Sequence, residues 1–379
     1  MIKKVIFFTK GDSSDVSTWS NIPYLFTKTL EKHNIVLHRV DISSNKKIRR
    51  IFDKFVVPII GLLFPKHVYT FDRTKLCADI TNKKIRNALK RNADSDLCIF
   101  TTFSFYNSYN DIPTLLFCDW TYEILIKERL GRKLYFFEEW VSKRETKAIT
   151  NSTIVISLFP ECTSKMKLSY PTANIHHLGS NVVNTLYSGE FNIEEIISSK
   201  TKSHDIIFIG GKSYLEGAQK LVDSFVLFSQ KYPDYTLHLI GIEQNWLNEK
   251  YTNVCCHGYL RKDKETESDL YYSLLLKAKL IINPTPIWAG YSSIIEAMYF
   301  YTPVITTPYK DFISEFGESI DFGYYIKDFS KTGISEMIER ICKAACYTEM
   351  CKMAHNKVIN YTWDSYVEKI LTLANLYIQ

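Results

Sequence analysis

Residues 283–308, NPTPIWAGYSSIIEAMYFYTPVITTP, read as a strand end, a loop, a helix, a turn and a further strand. The apolar run Leu280-Ile281-Ile282 stops at Asn283 and Pro284, the length and punctuation of a buried strand. Two prolines and a glycine in Pro284–Tyr291 predict a loop. Ser292 and Ser293 stand at the expected N-cap, ahead of the helical apolar residues Ile294, Ile295, Ala297 and Met298. Pro303 opens the next strand, Val304-Ile305-Thr306. Such a helix start offers unbonded N–H groups and a positive dipole end to a diphosphate. Glu296, one turn in, is placed to accept hydrogen bonds from a ribose diol. The plainer alternative is a capped αβ unit in which Ser293 and Glu296 form a capping box.

Working outward, the second half of the chain repeats an alternation of strand and helix. Ile206–Ile209 predicts a strand running into Gly210-Gly211-Lys212-Ser213, and Gly217 precedes a helix carrying Leu221, Phe225 and Phe228. Leu237–Gly241 and Cys255–Tyr259 predict two more strands, and Leu270–Ala278 a helix. Gly211-Lys212-Ser213 matches the end of a phosphate-loop motif, but the motif's first glycine would fall on Ile206, inside the strand, which excludes it.

The first half opens the same way. Val5–Phe8 predicts a buried strand, residues 9–14 a loop around Gly11, Asn21–His33 a helix, and Ile35–Val40 a second strand. No G-x-G-x-x-G follows the first strand, so a dinucleotide fingerprint is not supported. Leu97–Phe100, Thr114–Phe117 and Thr153–Ile156 continue the strands. Ligands of such sheets bind outside the carboxyl ends of strands, which puts Asp119 in position to orient a sugar or take a proton. Its alternative is to cap the next helix. Glu138, Glu139 and Glu145 read as a solvated helix face. The adjacent His176 and His177 would face opposite ways and do not make a metal pair.

The block GYSSIIEAMYFYTPVIT resembles the donor-nucleotide motif of GT-B glycosyltransferases, family 4 in particular. Glu296, Ala297, Met298, Pro303 and Val304 match its second half, and the family's first glutamate would fall on Trp288. The resemblance implies an α/β protein of GT-B type, two Rossmann-like doubly wound domains facing across a cleft. The divisions expected are 1–182 for the acceptor-binding domain, 183–204 for a linker, 205–355 for the nucleotide-sugar domain and 356–379 for a helix crossing back. It further implies a metal-independent, retaining transfer of a hexosyl or related group from a nucleotide-sugar to a hydroxyl, without a cofactor, in cell-surface polysaccharide or glycoconjugate synthesis. Donor contacts would come from Gly210, Gly211, Lys212, Arg261, Gly290, Tyr291, Ser292, Ser293 and Glu296. Gly11, Ser20, Ser157, Asn181 and Trp288 would meet substrate, and Asp119 is the candidate catalytic group. Two other readings stay open: a degenerate domain serving as partner to another glycosyltransferase, and a sugar-nucleotide epimerase, for which no acid/base pair is found.

Composition bounds these expectations. At 379 residues the chain suits two domains. A net charge of +6, spread rather than clustered, does not argue for nucleic acid. Nine scattered cysteines with no paired CxxC sets suggest a reducing cytoplasm and no zinc site. MIKKVIFF lacks the long apolar core of a signal peptide. Lys46–Leu63, KKIRRIFDKFVVPIIGLL, is basic and then apolar, and its apolar part is too short to span a bilayer. It predicts either a helix lying on an anionic inner membrane surface or beside a lipid-linked acceptor, or an ordinary packed helix.

Overall fold

The computed structural model describes residues 2–179, 182–286 and 290–378, arranged in two compact units. Met1–Ser180 with Trp363–Gln379 form the first, and Asn181–Thr362 the second. Trp288 and Asn181, both expected at the site, lie outside the described residues.

The first unit is built on the strands β1 (Lys4–Thr9), β2 (Val36–Asp41), β3 (Leu97–Phe100), β4 (Thr114–Cys118), β5 (Ile154–Ser157) and β6 (Ile175–His176). They pair in parallel in the order β2-β1-β3-β4-β5-β6. Continuous apolar runs make these strands because both faces of the sheet are covered: Val5 to Phe8, Leu97 to Phe100 and Leu115 to Phe117 are fully buried. The C-terminal helix Trp363–Tyr377 belongs to this unit, and its Trp363 ring stacks on Phe26 at 5.4 Å.

In the second unit are β7 (Asp205–Ile209), β8 (Thr236–Ile240), β9 (Val254–Gly258), β10 (Leu280–Asn283), β11 (Val304–Thr306) and β12 (Gly323–Tyr325). Their order, β9-β8-β7-β10-β11-β12, is again parallel throughout and is the nucleotide-binding order of doubly wound sheets. Leu221, Phe225 and Phe228 of the helix Leu215–Lys231 pack into one core with Ile206, Phe208 and Leu239. The expected linker 183–204 instead contains the helix Ile193–Lys202, with Asn192 accepting from the Glu195 N–H as its cap. Ile196 and Ile197 enter the unit's core. Polar composition disguised that helix, because its buried face is only three residues wide.

The helix Ser292–Tyr299 ends in a Schellman turn. Thr302 N–H bonds the Ala297 carbonyl at 3.1 Å and Tyr301 N–H bonds Met298 at 2.9 Å. The left-handed position that glycine usually fills is Tyr301, φ +60°, whose ring stacks on His355 at 4.0 Å. That contact offsets the backbone cost.

Candidate functional site

In a doubly wound sheet the ligand crevice opens where strand order reverses. In the second unit that point lies between β7 and β10, and the helix Ser292–Tyr299 starts there. Ser293 Oγ donates to the Ile209 carbonyl at 3.3 Å, tying the helix start to the end of β7. Gly290 N–H donates to the Tyr214 hydroxyl at 3.1 Å. Tyr291, not either serine, occupies the N-cap position, and no side chain caps the helix. The serines therefore lie inside the first turn, whose dipole carries no side-chain counter-charge. The Tyr291 ring is fully buried against Phe312, 5.2 Å away, so it is core and not a ligand contact.

Glu296 is not part of a capping box. Both its carboxylate oxygens accept from Lys262 Nζ at 2.7 Å, and Oε2 also accepts from the Tyr271 hydroxyl at 2.8 Å. Lys262 Nζ lies 4.6 Å from the Tyr271 ring centre and donates to the Asn184 carbonyl at 2.8 Å. Burial, then the Glu296 charge, pushes the Tyr271 hydroxyl well above the usual phenol range, so it stays a donor. A carboxylate has about four acceptor positions. Among the described residues three are used here.

The basic residue that meets Glu296 is Lys262, the neighbour of Arg261. Arg261 itself is held by Asp263, with Nε to Oδ1 at 3.0 Å and Nη2 to Oδ2 at 2.5 Å. Lys212 is exposed, its ammonium 5.7 Å from the Trp246 ring centre. A Cβ on Gly210 would come within 3.1 Å of the Phe208 ring and of Tyr214, whereas one on Gly211 would meet nothing within 4 Å. Gly241, beside Gly210, requires bare backbone: at φ +91°, a Cβ would stand 2.7 Å from the Gly210 carbonyl.

The first unit has its own reversal point, between β1 and β3, and a cavity of about 300 Å³ opens there. Thr9, Thr101 and Asp119 line it from the strand ends. Asp119 does not cap the following helix. Thr121 does, accepting from Ile124 N–H at 3.3 Å, while Asp119 Oδ1 accepts from the Trp120 N–H at 2.8 Å. Ser157 is fully buried, and its hydroxyl donates to the Asp119 carbonyl at 3.0 Å, so it positions Asp119 and does not face substrate. Burial, then Asp119, pushes the neighbouring Cys118 thiol well above its usual range. Gly11, at φ +108°, is tied to Asp41 by its N–H at 3.0 Å. Trp19, Ser20 and Asn21 follow in the left-handed region, and the Trp19 ring reaches the cavity wall while Ser20 is exposed. Three consecutive non-glycine residues at positive φ store strain beside the cavity.

Two glutamates read as solvated are buried. Glu138 pairs with Arg132 at 2.7 Å and accepts from the Tyr122 hydroxyl at 2.9 Å. Glu145 accepts from Ser104 Oγ at 3.0 Å and Tyr122 N–H at 2.6 Å. Sequence reading also missed Lys10, Arg73, Lys262 and Tyr271. Lys10 had a signal, since it follows β1 directly. Among the described residues, no three His, Cys, Asp or Glu side chains are grouped to hold a metal ion.

No family profile matches the chain, and no curated protein does. Solved structures do match over nearly its whole length. A sucrose-phosphate synthase from Thermosynechococcus elongatus is 11% identical with a TM-score of 0.66, covering 99% of this chain and 98% of its own. WaaG, a glycosyltransferase involved in lipopolysaccharide biosynthesis, is 14% identical with a TM-score of 0.62, covering 98% and 99%. Anabaena HepE, solved in complex with UDP and glucose, is 14% identical with a TM-score of 0.60, covering 98% and 100%. The fold is the GT-B fold of two Rossmann-like domains. Its structural neighbours are glycosyltransferases.

Proposed function

We propose that this chain is a glycosyltransferase of the family 4 kind, transferring a hexosyl or related group from a nucleotide-sugar to a hydroxyl of a glycan or lipid-linked acceptor. The observation that carries the reading is the arrangement at the second unit's reversal point. There an uncapped helix start stands one turn before Glu296 on the same helix, and Lys262 and Tyr271 hold Glu296 from neighbouring segments. The diphosphate would rest on the N–H groups of the first turn, with Lys212 as its mobile cation. Glu296, fixed by Lys262 and Tyr271, would offer its remaining acceptor position to a ribose hydroxyl. Asp119 in the first unit would meet the acceptor or the transferred sugar. HepE, which binds UDP in its solved complex, supports a nucleoside diphosphate as the ligand class. We carry over retention of configuration, independence of metal and cofactor, and a role in cell-surface glycan synthesis as parts of the same proposal.

The helix Lys46–Leu63 supports a peripheral place on the cytoplasmic face of a membrane. It has no fully buried residue, and it leans on the first unit only through half-buried residues such as Phe52, whose ring meets Phe71 at 5.6 Å. Ile51, Phe55, Ile59 and Leu62, spaced three and four apart on one face, are 62, 60, 59 and 84% exposed. Lys46, Lys47, Arg49, Arg50 and Lys54 accompany them, the composition of a helix lying in an anionic interface. Among the described residues no helix is long and apolar enough to cross a membrane.

A second reading draws on the same glutamate. Its commitment to Lys262, with tryptophan at the first-glutamate position, would suit a non-catalytic partner domain. Incubating the purified chain with a panel of nucleotide-sugars and assaying release of the nucleoside diphosphate separates the two. Turnover with one donor supports the enzyme, and no release from any donor supports the partner.

A further inference from the structure

The cavity of the first unit holds cations that the reading above does not use. Lys10 and Arg73 line it. Arg144 stands within electrostatic range of both. Lys10 joins no ion pair among the described residues. The nearest carboxylate to Arg73 is Glu145, 3.9 Å away. Among the described residues all three guanidinium nitrogens of Arg144 are buried without a hydrogen-bond partner, and its central carbon lies 4.9 and 5.3 Å from the ring centres of Phe105 and Trp140. Glu145 and Asp119 also line the cavity and are held in place by neutral donors, Glu145 by Ser104 and Tyr122 and Asp119 by Trp120, and Asp72 nearby by Ser44. Burial pushes the pKa values of Lys10 and Arg144 down, Arg73 adding to the shift at Lys10, while Asp72 opposes it at Lys10 and Glu145 at Arg144. A buried cation is costly unless its donors are satisfied, and those of Arg144 are not met among the described residues.

We infer that this cavity binds the anionic group of an acceptor, a phosphoryl, sulfate or carboxylate carried on a sugar. The shape fits such a ligand. Lys10 and Arg73 present donors from the cavity wall, Arg144 adds its charge from behind, and Trp19 and Trp120 supply flat apolar walls for the attached ring. The same chemistry could come from the donor's diphosphate instead of the acceptor. The inference rests on the proposed function for its assignment of the acceptor to the first unit.

Calorimetry on the full chain tests it with four probes: inorganic phosphate, a hexose 6-phosphate, the unphosphorylated hexose and UDP. Hexose phosphate is expected to bind at least tenfold more tightly than hexose. Lys10→Met and Arg73→Met are each expected to weaken it tenfold or more while changing UDP affinity less than twofold. Lys10→Arg, which keeps the charge, should restore binding to within about threefold of wild type, and unchanged urea midpoints establish that the variants are folded. If UDP binds but neither phosphate nor hexose phosphate does, the inference is overturned and the glycosyltransferase reading stands. Should Lys10→Met weaken UDP as much as hexose phosphate, the cations serve the donor, and the acceptor assignment is overturned. Lys10-dependent binding of hexose phosphate with no binding of UDP supports the anion pocket and counts against the donor reading.

Discussion

At the scale of single residues, Glu296 decides most. Its side chain is almost wholly buried and its partner Lys262 nearly so. Glu296→Gln would leave the ammonium without its counter-charge, and breaking such a pair costs about 3–5 kcal/mol. The urea midpoint should fall accordingly. Tyr271→Phe, which removes one neutral donor, should cost only about 1 kcal/mol in the same assay. A Glu296→Gln protein as stable as wild type would mean that the pair is not formed. Asp119 acts in the proposed chemistry and not in the core, so Asp119→Asn should lower transfer by about 10²-fold or more and leave UDP affinity unchanged. Sequence reading singled out Glu296 and Asp119 because a helix start and a strand end announce themselves in composition. It singled out Arg261 and passed over Lys262, which meets Glu296, since nothing in a turn sequence tells which of two adjacent basic side chains points inward. Glu138 and Glu145 were misread for a related reason. Their partners Arg132, Tyr122 and Ser104 are distributed along the chain, and only the fold assembles them.

Among the elements, the strands were legible and the connections less so. Buried parallel strands must be apolar on both faces, so runs such as Val5–Phe8 and Leu280–Ile282 stand out in any reading. The helix Ile193–Lys202 did not stand out, because most of its surface is polar. The helix Lys46–Leu63 was seen, but whether it packs or lies exposed is a tertiary fact. Its exposed stripe carries a prediction. Replacing Phe55 and Ile59 together by glutamate should reduce co-sedimentation with vesicles containing anionic lipid by tenfold or more. Folding should be unaffected, because neither residue is buried. Undiminished vesicle binding by that variant would remove the membrane assignment.

For the whole molecule, Lys200 couples folding of the second unit to pH. It is fully buried, and its Nζ donates to the Leu275 and Ala278 carbonyls at 2.6 and 3.1 Å and to Thr302 Oγ1 at 2.9 Å. Burial pushes its pKa down to about 7, from the 10.5 of an exposed lysine. Between those values the unfolded chain binds the extra proton, so stability rises with pH across that window and the gain is lost as pH falls to about 7. The slope from this one group is at most about 1.4 kcal/mol per pH unit, and Lys200→Met should abolish it when urea midpoints at pH 7 and pH 9.5 are compared. The two sheets, with their two points of strand reversal, also set the largest claim, that the second unit holds a nucleoside diphosphate. Calorimetric titration of the full-length chain with nucleoside diphosphates tests it most directly. At least one is predicted to bind, UDP being the first to try, with affinity reduced tenfold or more by Glu296→Gln that remains folded. No binding by any of them to the folded wild-type chain would contradict the account.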